Sequence, residues 1–188
     1  MKLSTKAVVQ TGVLLAICIA SQFMKGLSVY ITGSIVNLTI VMAVLLVGVS
    51  SGIILSVIAP ITAFWISPSP ITQSIPMVIP CIMIGNILLA VGIYLFQKKV
   101  LTKQMKLNIR VAVGMVVGSL AKAVFMGVSI VCILLPMFKG NLPAKKADMI
   151  LNTAKVTFSV TQFITAIIGC AIAYVIWLRI KDVVSKEY

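Results

Sequence analysis

Ile35-Val-Asn-Leu-Thr-Ile-Val-Met-Ala-Val-Leu-Leu-Val-Gly48-Val-Ser-Ser-Gly52-Ile-Ile-Leu-Ser-Val-Ile-Ala-Pro60-Ile-Thr-Ala-Phe-Trp-Ile66 contains no charged residue across residues 35–66. A single helix of that length would be ~48 Å long, against a bilayer core of ~30 Å. Gly48-Val-Ser-Ser-Gly52 interrupts the run near its middle. The stretch therefore predicts two short helices joined by a tight turn, each of about 15 residues and ~22 Å. The apolar residues are continuous rather than alternating, and in lipid only helices and closed barrels satisfy every backbone polar group. The fold is expected to be all-α.

Similar runs lie on either side. Segment one covers Ala7 to Met24, between Lys6 and Lys25. Its basic start resembles a signal peptide, but its apolar stretch is longer than a usual signal core, so it is expected to stay in the mature protein. Segments two and three are the halves of the quoted run. The turn residues Ser67-Pro68-Ser69-Pro70-Ile71-Thr72-Gln73 follow as a loop. Segment four spans Ile75 to Phe96, with Pro76 and Pro80 near its start, where proline costs least. A basic linker, Lys98 to Arg110, precedes segment five, Val111 to Pro136. A polar loop, Met137 to Met149, leads to segment six, Ile150 to Leu178. This is a polytopic membrane protein of six spans in one integral domain, residues 1–188.

Composition agrees. Hydrophobic residues make up 61% of the chain, charged residues 10%, and mean hydropathy is +1.18. A soluble domain carries closer to ~25% charged residues. The net charge of +13 reflects cations between apolar runs, with no basic–aromatic interleaving, so no nucleic-acid partner is expected. Six spans put both ends on one side, together with Lys2, Lys6, Lys98, Lys99, Lys103, Lys106, Arg110, Arg179, Lys181 and Lys186. The other side has Lys25, Lys139, Lys145, Lys146 and Lys155. By the positive-inside rule both termini are cytoplasmic.

Several chemistries are excluded. The chain has no histidine, and its only acids are Asp148, Asp182 and Glu187, all outside the spans. A carboxylate dyad, a histidine-based triad and a histidine-containing zinc site are ruled out. The chain also has no GxxxxGK[ST] phosphate loop. No enzymatic activity and no cofactor are expected. Cys18, Cys81, Cys132 and Cys170 lie inside apolar runs without CxxC spacing and read as packing residues.

The polar residues within the spans are the candidates for function. Lys122 lies ~18 Å along its helix from Arg110, near mid-membrane and too deep to snorkel. An intramembrane charge usually faces a cavity or a partner, and no span holds an acid. Its compensation must come from carbonyls, water or an anionic ligand. Asn86 is also at mid-membrane, and Asn37 opens segment two. Lys155, Ser159 and Gln162 follow i, i+4, i+7 spacing, so one helical face is expected to present all three to an outward-facing pocket. Trp65 ends segment three and reads as an interfacial-belt residue or a stacking surface for a ring. In segment one, Gly12 precedes Ala16-Ile-Cys-Ile-Ala20, small residues that allow a partner helix to approach closely.

Taken together, the chain resembles a substrate-binding S component of an energy-coupling factor (ECF) transporter, the vitamin-uptake class. The resemblance covers nearly the whole length. It rests on size, six spans, the AxxxA of segment one, Val36-Asn37-Leu38, the stretch from Gly48 to Pro60, Lys122, and above all Ile79-Pro80-Cys81-Ile82-Met83-Ile84-Gly85-Asn86. It implies a micronutrient bound near the outer face under the loops after helices one, three and five. It also implies docking through Ala16 and Ala20 onto a transmembrane coupling subunit driven by two ATPase subunits, in the plasma membrane of a prokaryote. Asn37, Trp65, Asn86, Lys122, Lys155, Ser159 and Gln162 are the candidate substrate-binding residues. Two lysines without an intramembrane acid favour an anionic vitamin. The competing class is a non-transport membrane scaffold or accessory subunit whose polar residues only join helices; co-purification with ATPase subunits separates the two. A proton-coupled carrier is disfavoured by the missing Asp, Glu and His.

The cation asymmetry generates the first prediction. Cysteine-accessibility mapping should place residues 98–110 on the cytoplasmic side, and labelling of that linker from outside the cell would rule out the arrangement.

Overall fold

The computed structural model describes residues 4–26, 28–98, 106–143 and 147–185, and the side chains up to residue 180. Lys2, Lys99, Lys103, Lys145, Lys146, Lys186 and Glu187 lie outside the described residues, and Lys181 and Asp182 are described in backbone only. The described residues are helical without strands, and six helices are long and apolar enough to cross a membrane. They are α1 (Thr5–Gln22, extended by the tight turn Phe23–Gly26), α2 (Val29–Leu46), α3 (Val49–Ile66), α4 (Val78–Gln97), α5 (Leu107–Met137) and α6 (Ala147–Ser185).

The break in the long apolar run is sharper than the sequence suggests. Val47 closes α2, and Gly48, at φ 131° and ψ 174°, reverses the chain straight into α3. That backbone region is essentially open to glycine alone. Gly52 is not part of the turn: it sits in α3, where a β-carbon would overlap the Val44 side chain. The helices are also longer than predicted, 18 residues each and so ~27 Å. The extra length in α2 comes from Val29–Ser34, which the polar residues Thr32, Gly33 and Ser34 had hidden. Asn37 therefore does not open α2. It lies eight residues past the first, ~12 Å into the helix.

The loop after α3 contains a five-residue helical turn, Pro70–Ser74. Ser69 and Thr72 form a reciprocal capping box that satisfies its free N–H groups. Leu107–Arg110 belong to α5 rather than to a linker, and Arg110 is buried. Within α5 and α6 the α-helical ladder widens to π-helix over Gly127–Leu134 and Thr157–Thr161.

α2 is the central post. It packs against α1, α3, α4 and α6, while α1 packs on α2 and α3 and buries only Cys18, Ser21 and Gln22. Small residues permit the closest crossings. A β-carbon on Gly118 would meet Leu89 O at 2.9 Å, and one on Gly92 would meet Gly118 Cα at 3.0 Å. The glycines of α5 at 114 and 118 are thus a small-xxx-small face seated on α4.

Two apolar clusters result. One, built on Ile40–Leu45, Leu55, Leu89, Ile93, Val111 and Trp177, fills the half of the bundle nearer the chain termini. The other gathers Ile71, Ile75, Val78, Met126, Ile130, Ile150 and Phe158 at the opposite end. Beside this second cluster, the ends of α1 to α3 stand apart from it and leave a cavity.

Gly169 sets the α2–α6 spacing, because a β-carbon there would lie 2.6 Å from Ser34 O and 2.9 Å from Leu38 N. Backbone atoms cannot rotate away, so Gly169→Ala should cost about 1–3 kcal/mol. Gly12→Ala, with nothing within 4 Å, should cost nothing. Thermal melting of the two variants in detergent checks this.

Candidate functional site

The cavity encloses about 370 Å³, within the range of small-molecule sites. The α1 turn, the start of α2, the end of α3, the Pro70–Ser74 turn, the start of α4, Lys122 of α5 and the start of α6 surround it. It therefore lies at the end of the bundle away from the termini. Its wall is mostly apolar: Val29, Val36, Ala59, Phe64, Ile79, Ile82, Ile150 and Phe158 are typical. Among the described residues, no acidic side chain contributes to it. Lys25 on the α1 turn donates to Ser67 O at the end of α3, tying two of the surrounding connections together.

Lys122 is 2% exposed, and its Nζ donates to Asn37 Oδ1 at 2.6 Å. Asn37 is held in turn. Its Nδ2 donates to Gly33 O at 2.9 Å and to Thr165 Oγ1 at 3.5 Å. Thr165 Oγ1 donates back to Thr161 O at 2.9 Å, the last residue of the α6 π-turn. This chain of bonds links α5, α2 and α6 and turns the amide so that its oxygen, not its nitrogen, faces the lysine. An ammonium has three N–H donors. The asparagine takes one and leaves the nitrogen on the cavity wall with capacity for a ligand.

Two buried side-chain oxygens of residues around the cavity accept no hydrogen bond: Gln22 Oε1, at the end of α1, and Asn86 Oδ1, in α4. The Gln22 amide is oriented by its Nε2, which donates to Ala59 O at 3.0 Å. Asn86 follows Gly85, whose missing side chain leaves room for Met126 and the stem of Lys122. An unpaired buried acceptor costs about 1–3 kcal/mol.

Of the residues singled out from sequence, Asn37, Asn86, Lys122 and Gln162 line the cavity, and Trp65, Lys155 and Ser159 do not. Trp65 is 80% exposed on the outer surface, the location of an interfacial-belt residue rather than of a stacking surface in the pocket. Lys155 is exposed, and Ser159 Oγ turns back to Lys155 O. The expected shared face fails because Ser159 lies inside the π-turn. Its i→i+5 bonds break the α-helical phase between Lys155 and Gln162. Gln22 and Lys25, which line the cavity, were passed over. Gln22 lies in the last turn of segment one, next to a terminal lysine, and nothing local separates it from an ordinary helix-end residue. Ala16 and Ala20, with Gly12, face outward from α1 rather than into this bundle.

Among the described residues no group of histidine, cysteine or acidic side chains gathers that could hold a metal. The cysteines are free, and Cys170 Sγ rests 3.5 Å from Ser119 Oγ in the α5–α6 contact. Compared with protein-family models, curated proteins and solved structures, the chain has no match.

The lysine–asparagine bond can be tested by a double-mutant cycle. Asn37→Leu should destabilise the empty protein by about 2 kcal/mol or more, because it strands a buried charged donor. Lys122→Met should cost less. The double variant should recover most of the Asn37→Leu loss in thermal melting.

Proposed function

We propose that this chain is the substrate-binding S component of an ECF-type transporter, importing a water-soluble, anionic micronutrient. The observation that carries the reading is the cavity with Lys122 in its wall and, among the described residues, no acid lining it. A buried cation with one neutral oxygen is under-compensated in a low-dielectric interior, and an anionic ligand supplies the missing charge. The apolar wall suits the body of a vitamin-sized molecule, and the connections around the cavity provide a closure. The proposal places the protein in the plasma membrane of a prokaryote, with cytoplasmic termini and the cavity toward the outside. Energy comes from two partner ATPase subunits acting through a transmembrane coupling subunit, in keeping with the absence of a phosphate loop. The outward small residues of α1, Ala16 and Ala20, suit the approach of that subunit.

A scaffold whose polar groups merely join helices is the alternative, and the bond between α5 and α2 favours it. A scaffold does not need a cavity of this volume.

Mass spectrometry of small molecules retained by the purified protein decides between them. A stoichiometric anion is expected, and Lys122→Met should weaken its binding by about 2 kcal/mol, roughly 30-fold. An empty protein, or unchanged affinity in the variant, defeats the reading.

A further inference from the structure

The α6 side of the cavity carries polar side chains that the protein itself leaves unused. Thr153, Thr157 and Gln162 all line the cavity. Thr153 is exposed and Thr157 and Gln162 are half-buried, so all three are accessible. None of the three side chains has a hydrogen-bond partner among the described residues. Other hydroxyls in this bundle behave differently. Ser159 and Thr165 on the same helix, and Thr11, Ser56 and Ser129 elsewhere, each donate to the carbonyl four residues back. That bond is the usual outlet for a hydroxyl on a helix away from water. Thr153 and Thr157 do not take it.

The π-turn sets their alignment. Thr153 and Thr157, at i and i+4, share a face. In an unbroken α-helix Gln162 would stand ~140° round from Thr157, at ~100° per residue. The π-turn over Thr157–Thr161 closes i→i+5 instead and brings Gln162 back toward that face. The row from Thr153 to Gln162 is ~13 Å long. Its inner end is tied to the lysine. Gln162 O accepts from Thr165 Oγ1 at 3.2 Å, and that hydroxyl in turn accepts from Asn37, the partner of Lys122.

We infer that Thr153, Thr157 and Gln162 are the specificity row of this site, and that the substrate is an elongated acid with amide or hydroxyl groups along one edge. The inference rests on the anionic reading of Lys122 and goes further. Lys122 holds the charge, and the row on α6 reads the body of the molecule. Each of the three side chains can both donate and accept, which suits amides and hydroxyls alike. Val36, Phe64, Ile79 and Ile82 on the other walls take the apolar edge. A site that hydrogen-bonds a substrate group discriminates against an analogue lacking it, so an acid with a hydrocarbon body is a poor ligand.

A matched pair of probes tests the idea. Octanoate and N-butanoyl-β-alanine have the same chain length and the same carboxylate, and only the second carries an amide. Binding to the full-length purified protein is measured by titration, and melting is followed in parallel. N-butanoyl-β-alanine should bind at least about tenfold more tightly. Gln162→Leu and the double variant Thr153→Val with Thr157→Val keep the shape and remove hydrogen-bonding groups. Each should shrink the preference while leaving octanoate affinity within about twofold. Both should melt within about 2 °C of the parent, since the lost groups have no partner in the empty protein. Ser159→Ala, off the cavity inside the π-turn, should leave the preference unchanged. Octanoate binding as tightly as the amide would overturn the specificity row and leave the anionic reading intact. So would a preference that persists in both α6 variants, or one that Ser159→Ala abolishes. Equal loss of both acids in Lys122→Met supports the anionic reading separately, and unchanged affinity in that variant removes it. Binding of neither acid to the parent would overturn both readings.

Discussion

The hydrogen bond from Lys122 to Asn37 resolves a conflict that the rest of the bundle is arranged around. An ammonium in the middle of an apolar bundle has lost its hydration, and the two acids that fall within the helices, Asp148 and Asp182, lie toward the two ends of α6 rather than at its depth. Asn37 supplies an oxygen 2.6 Å away, and to do so its amide must point one way only. Gly33 O and Thr165 Oγ1 fix that direction from α2 and α6. Gly169 lets the two helices approach closely enough for this, since any side chain there would meet the α2 backbone. Lysine, asparagine, threonine and glycine thus form one dependent unit across three helices.

The same unit explains why the bundle is solid at one end and hollow at the other. Toward the termini, large aliphatic side chains of α2 to α6 interdigitate. Past Asn37, residues of α2 facing inward become small or polar: Thr32, Gly33 and Val36 border space rather than core. Pro60 in α3 removes one backbone N–H at this height, and the π-segments of α5 and α6 shift the helix faces that follow them. Each departure from a regular α-helix falls beside or just beyond the cavity. Regular helices with long side chains would have closed it.

The cavity has an internal polarity of its own. Lys122 and Lys25 stand in a wall that is mostly apolar, with Gln22, Asn37, Asn86 and several threonines between the apolar residues. Each buried polar group left without a partner adds its own desolvation cost to the empty protein. The outer surface shows the complementary behaviour. α1 buries little and turns Gly12, Ala16 and Ala20 away from the bundle, while Trp65 stands in the open at the end of α3.

The all-helical class and the number of spans were legible in the sequence because they depend on the length and continuity of apolar runs, which are local. Lys122 and Asn86 stood out for a related reason: a polar residue deep inside such a run has few explanations. The placement of Asn37 in the middle of α2 was hidden by Thr32, Gly33 and Ser34, which look like a loop and are a helix whose polar side faces its neighbours. The grouping of Lys155, Ser159 and Gln162 failed because it assumed an unbroken 3.6-residue period, and a π-turn is decided by packing between α5 and α6 rather than by the residues of α6 alone. Gln22 was illegible for the most general reason. Its role depends on Ala59 O, which lies 37 residues away in sequence and is brought within 3.0 Å only when α1 packs on α3. Sequence by itself determined which segments lie in lipid. Which polar atoms meet across the bundle, and which are buried without a partner, was decided only when the helices packed.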